Sequence, residues 1–127
     1  MRTIDVRKIL VPTDFSETAG IALDHAVNMA KMQDAEITLL HVLSTFSFRV
    51  NLPEAAEMDE NHQHKISGLI GSKLTVLAES ILENLGVKVK IMVSSGRIRE
   101  EVVRVADEID ADLIILGTHG VSGLKEF

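Results

Sequence analysis

Apolar and polar positions along this chain change period several times, and each change marks an element. Lys8-Ile-Leu-Val11 is a short apolar run closed by Pro12. That run predicts a buried first strand beginning a few residues earlier. From about residue 17 to 32, Ala19, Ala22, Leu23, Ala26, Val27 and Ala30 recur three and four apart. This spacing gathers them on one helix face, and Ser16 stands where an N-cap belongs. Ile37 to Leu43 is nearly continuous in apolar character, as a strand covered on both faces should be.

Residues 44–57 contain Pro53 and keep no clean period, so they predict an irregular excursion suited to a lid. A long helix follows from about residue 58 to 85. Ile66, Leu69, Ile70, Leu74, Leu77, Ile81 and Leu85 hold its period, and Gly86 supplies a left-handed stop. Gly68 and Gly71 inside it cost about 1 kcal/mol each and suggest close helix packing. Residues 87–93 alternate, with Val87, Val89, Ile91 and Val93 on one side and Lys88, Lys90 and Met92 on the other. One wetted face with two lysines suits an edge strand guarded against foreign pairing. A third helix from 98 to 109 has Ile98, Val102, Val105, Ala106 and Ile109 as its core face, and Ala111 to Leu116 form a fourth strand that Gly117 ends.

Strands alternating with helices predict an α/β fold with parallel strands and right-handed crossovers. The expected architecture is a three-layer, open, Rossmann-like parallel sheet in the order 3-2-1-4. Ligands of such sheets bind beyond the carboxyl ends of the strands, at the switch point between strands 1 and 4.

Composition narrows the function. A chain of 127 residues with 46% hydrophobic positions and two prolines makes one domain with a real core. Without cysteine it has neither a disulfide scaffold nor thiol chemistry. No apolar stretch of signal-peptide type follows Met1–Lys8, and no run approaches the roughly 18 apolar residues of a membrane span. A soluble, cytoplasmic protein without a membrane partner is expected. The net charge of −6 and the dispersed lysines and arginines disfavour a nucleic-acid partner. A nucleotide can still be held locally by backbone N–H groups and helix ends.

Two segments converge at the switch point: Val11-Pro12-Thr13-Asp14-Phe15-Ser16 after strand 1, and Gly117-Thr-His119-Gly120 after strand 4. Asp14 can accept hydrogen bonds from an exocyclic amine or a ribose hydroxyl, and spaced glycines let backbone approach phosphate. Asp14 reads equally well as a helix N-cap. Neither Gly-x-Gly-x-x-Gly after strand 1 nor a P-loop is present, and Gly117-x-x-Gly120-x-x-Gly123 alone is a weak signal.

Taken together, Lys8-Ile-Leu-Val-Pro-Thr-Asp-Phe-Ser16, Leu40-His-Val-Leu43 and Leu116-Gly-Thr-His-Gly-Val-Ser-Gly-Leu-Lys-Glu-Phe127 resemble the three motifs of a universal stress protein domain of the ATP-binding-like subgroup, across the whole chain. The resemblance implies an adenine nucleotide alpha hydrolase-like fold and a stress-response or regulatory protein. Such a protein would bind ATP or AMP, with or without magnesium, form a homodimer when full length, and hydrolyse ATP slowly at most. Pro12, Thr13 and Asp14 would line the adenine and ribose side, and Val42 would touch the base. Gly117 and Gly120 would approach ribose and phosphates, with His119 beside them. ATP-binding members continue to a further glycine and a serine or threonine that grip the phosphates, and then to a fifth strand that commonly dimerises. Those features fall beyond Phe127, so residues 1–127 are expected to form one C-terminally incomplete domain without the fifth strand. A dimerisation or protein-interaction module that binds no nucleotide is the alternative. A flavin or phosphoryl enzyme on a flavodoxin-like sheet rests on fold analogy alone.

The remaining chemistry is sparse. His62 and His64 lie two apart on a helix and face different ways, and His25, His41 and His119 have no carboxylates at ligand spacing. No metal site is expected, and His119 is the histidine placed nearest the pocket. No Gly-x-Ser-x-Gly elbow occurs, and Ser16 and Ser122 suit capping and loop geometry, so no catalytic residue is assigned. Glu100 and Glu101 favour the positive end of the third helix, while Asp107, Glu108 and Asp110 are expected to sit in water.

Overall fold

The computed structural model describes residues 4–44 and 60–118, with side chains from residue 63 onward in the second stretch. Along the chain these form β1 (Lys8–Pro12), α1 (Glu17–Gln33), β2 (Glu36–Ser44), α2 (Glu60–Leu85), β3 (Val89–Gly96), α3 (Ile98–Glu108) and β4 (Leu113–Ile114). The sheet order is β3-β2-β1-β4 and every pairing is parallel. This is the three-layer α/β arrangement that the alternation of periods predicts.

Pleating divides the core in two. Ile9, Val11, Ile37 and Leu39 point to one face, where Leu23, Ala26, Val27 and Ala30 of α1 and Leu74 of α2 cover them. Leu10, Leu40 and Val42 point to the other, against Ile98, Val102 and Val105 of α3. Alternate residues of one strand thus feed two cores, which is why β1 and β2 are apolar along most of their length.

Each helix ends for a local reason. Ser16 accepts a hydrogen bond from Ala19 N at 3.1 Å and caps α1. Asp34 closes α1 in the left-handed region at φ 55°, a position often held by glycine. Gly86, at φ 70°, ends α2 and donates to Leu82 O at 3.0 Å.

Several expectations change in detail. Leu69 and Leu85, assigned to the core face of α2, are 68% and 44% exposed. They sit at the edge of a stripe whose centre is Leu74. A Cβ at Gly68 or Gly71 would meet nothing within 4 Å, so close helix packing does not explain those glycines. Their carbonyls accept from Ser72 Oγ and Thr75 Oγ1 instead. Lys88, just before β3, and Lys90 on it are exposed, yet Met92 packs against the α3 core, because α3 covers the far half of a face expected to be wet throughout. The fourth strand pairs only at Leu113 and Ile114. Residues 45–59, with most of the predicted lid, lie outside the described residues.

Two carboxylate contacts lie away from the inner core, one on α3 and one ahead of β4. Arg104 Nη2 lies 3.0 Å from Glu101 and Nη1 lies 2.8 Å from Glu108, so Glu101 and Glu108 share one guanidinium. The bond from Arg104 holds the Glu101 carboxyl below the usual carboxylate range. Just before β4, Asp112 Oδ2 accepts from the backbone N–H groups of Arg7 and Lys8, both at 2.9 Å. These two bonds lower the Asp112 pKa and staple the start of β4 to the start of β1.

Candidate functional site

β2 outlasts β1. The two strands pair from Lys8 opposite Glu36 to Pro12 opposite Leu40, after which β2 continues against β3 alone, to Ser44 opposite Gly96. Thr13 N still donates to Leu40 O at 2.8 Å, and the chain then turns away into α1. The space it leaves is a shallow, open cleft lined by Pro12, Thr13, Asp14, Leu40, His41, Val42 and Ile98.

The hydrogen-bond phase of β2 determines what the backbone offers there. Glu36 N bonds Arg7 O on the β1 side and Ile37 N bonds Lys88 O on the β3 side. Alternation along the strand therefore turns the even residues toward β1, as Leu40 O confirms by accepting from Thr13 N. Val42 is the next even residue beyond the last β1 partner. Its N–H and C=O face the space that β1 has vacated, one donor and one acceptor on the same edge. The side chains of Leu40 and Val42, with Ile98 at the start of α3, supply apolar wall.

Asp14 forms the polar wall. Its Oδ1 accepts from Ser16 N at 2.9 Å, closing a turn just ahead of α1, and the side chain is partly exposed in the cleft. It is not the N-cap, because Ser16 holds that place. Thr13 Oγ1 accepts from Phe15 N at 3.1 Å, so two consecutive side chains fix the turn through backbone N–H groups.

Pro12, Thr13, Asp14 and Val42 thus line one cleft. Gly117 stands elsewhere. It is buried after β4 against the first turn of α1, where an added Cβ would lie 2.8 Å from Thr18 Cγ2 and 2.9 Å from Thr18 O. Its lack of a side chain is already required by helix packing. His119 and Gly120 lie outside the described residues. One histidine was missed: His41, set aside for lack of a carboxylate, lines the cleft and bonds Thr13 O through Nδ1 at 2.8 Å. A lone imidazole in the mostly apolar run from Ile37 to Leu43 was the one hint in the sequence, and it does not reveal the stack on Phe15.

Comparison with known proteins gives a consistent picture. Residues 5–127 match the model of the universal stress protein family. The chain is similar to Universal stress protein MJ0577 of Methanocaldococcus jannaschii, 34% identical over 94% of this chain and 81% of that protein. A solved structure of MJ0577 superposes with a TM-score of 0.76, covering 98% of this chain and 83% of the other at 35% identity. Universal stress protein YxiE of Bacillus subtilis is 33% identical over 94% of this chain and 83% of its own. A universal stress protein solved in complex with cAMP shares the fold, with a TM-score of 0.59 at 20% identity over 94% of this chain and 78% of that one.

Proposed function

The chain belongs to the universal stress protein family, and on that premise we propose that it binds an adenine nucleotide, ATP or AMP, in the cleft beyond β1. The observation that supports this reading best is the outward-facing edge of Val42. A donor and an acceptor on one residue match the edge of an adenine ring, which offers an exocyclic amine beside a ring nitrogen. Leu40, Val42 and Ile98 provide apolar surface for the ring, and the Asp14 carboxylate stands where an amine or ribose hydroxyl would donate. A nucleotide bound in this way serves a sensing or regulatory role in a stress response, with magnesium accompanying the phosphates of ATP. Gly117, His119 and Gly120 are the proposed ribose and phosphate side. The reading includes a homodimer, a cytoplasmic location and, at most, slow ATP hydrolysis.

Titration calorimetry of this chain with ATP, AMP and GTP tests the proposal. Adenine nucleotides are expected to bind, and GTP, which presents a carbonyl where adenine has its amine, to bind more weakly. Asp14→Ala should weaken ATP and AMP alike. Equal affinity for ATP and GTP would remove the base-recognition argument. Absence of binding by all three would favour the dimerisation module.

A further inference from the structure

The turn that carries Asp14 is strained. Phe15 sits at φ 63°, a left-handed conformation that a bulky L-residue rarely adopts. Strain of this kind persists where the surroundings hold it in place, and the holding contacts here are specific. The Phe15 ring stacks on His41, with centroids 5.1 Å apart and planes 30° apart. Lys73 Nζ of α2 lies 4.5 Å from the centre of the same ring. His41 in turn bonds Thr13 O at 2.8 Å. Because a carbonyl only accepts, Nδ1 carries the proton in this bond.

Thr13 and Phe15 are the two neighbours of Asp14. One is tethered to His41 by a hydrogen bond and the other by ring stacking. We propose that His41 is a positioning residue, which clamps both sides of Asp14 and sets the angle at which its carboxylate enters the cleft. His41 belongs to β2, the strand that also presents Val42, so the clamp fixes the Asp14 carboxylate relative to the Val42 edge. Lys73 extends the clamp from the strand to α2. The predicted effect on ligand binding rests on the nucleotide reading above; the effect on the turn does not.

Two measurements separate these levels. The first is ligand-free amide hydrogen exchange by NMR, compared at Phe15 and Ser16, whose N–H groups bond Thr13 Oγ1 and Asp14 Oδ1, and at Gly20, whose N–H bonds Ser16 O within α1. His41→Ala is expected to speed exchange at Phe15 and Ser16 by about tenfold while leaving Gly20 unchanged. His41→Asn, whose amide can replace the Nδ1 donor, should recover part of that protection. Unchanged exchange at Phe15 and Ser16 in His41→Ala would overturn the proposal whether or not the protein binds ATP.

The second measurement is a calorimetric double-mutant cycle with ATP. His41→Ala should weaken binding by about tenfold in the native background and have little further effect in Asp14→Ala, because a residue acting only through Asp14 is silent once that carboxylate is gone. Equal losses in the two backgrounds would refute positioning through Asp14. If His41→Ala does not fold, Phe15→Leu removes the stack and is judged by the same criteria. A native chain that binds no ATP, but whose turn loosens in His41→Ala, would defeat the nucleotide reading and leave the clamp standing.

Discussion

Replacing Gly117 by alanine tests how closely the chain after β4 approaches the first turn of α1. The new Cβ would lie 2.8 Å from Thr18 Cγ2, 2.9 Å from Thr18 O and 3.0 Å from Thr18 C. A methyl group can swing away, but the carbonyl belongs to the first turn of α1 and moves only with the helix. Overpacking of this kind costs about 1–3 kcal/mol, offset by about 0.4–1 kcal/mol from the reduced freedom of the unfolded chain. The expected net loss is about 1–2 kcal/mol. With a urea m-value of about 2 kcal/mol per molar, the middle of the usual range, the unfolding midpoint should fall by roughly 0.5–1 M. Adding Thr18→Ser removes Cγ2 and leaves the backbone in place, so it should recover less than half of that loss relative to Thr18→Ser alone. A midpoint unmoved by Gly117→Ala, or one fully restored by Thr18→Ser, would refute the packing argument.

Asp112→Ala should lower the urea midpoint at pH 7, because the native carboxylate holds the N–H groups of Arg7 and Lys8. Its pKa is depressed in the folded state, so its contribution is present above the unfolded value of about 3.9 and is lost as pH falls through the folded value. The difference between native and variant should therefore shrink below about pH 4; an equal difference at pH 7 and pH 2.5 would count against the staple. Leu74→Ala, at a fully buried site, should cost about 2–5 kcal/mol, whereas Leu69→Ala, at a site 68% exposed, should stay within about 0.5 kcal/mol; chemical denaturation reads both. Asp34→Gly should stabilise by no more than about 1 kcal/mol, since glycine accepts φ 55° without Cβ strain, and a lower melting temperature would contradict that account.

The fold was largely legible because buried parallel strands and one-faced helices leave opposite periods in the sequence. The nearly continuous apolar character of Ile37 to Leu43 and the three-and-four spacing from Ala19 to Ala30 sufficed for class and order. Ends were less legible. Asp34 terminates α1 in a conformation that sequence associates with glycine, and the last turn of α2 extends past its core stripe, which leaves Leu85 exposed. At the cleft, Pro12, Thr13, Asp14 and Val42 were identifiable from their motifs. His41 was not, because its role depends on Phe15 adopting a strained conformation, which no local pattern reveals. Glu108 is exposed, as its place at the end of the third helix predicts; the pairing with Arg104, four positions earlier, which also holds Glu101, was the part not read.

The unequal lengths of β1 and β2 imply a thermodynamic coupling. Up to Leu40, β2 is bonded on both sides, whereas from Val42 onward it leans on β3 alone. A planar ligand that pairs with Val42 would act as a surrogate for the missing continuation of β1. Its arrival would complete the sheet locally and transfer part of its binding free energy into the stability of the β2–β3 margin. Occupancy of the cleft would then be registered at the far edge of the sheet, as slower opening of the strands there, with no change of shape required.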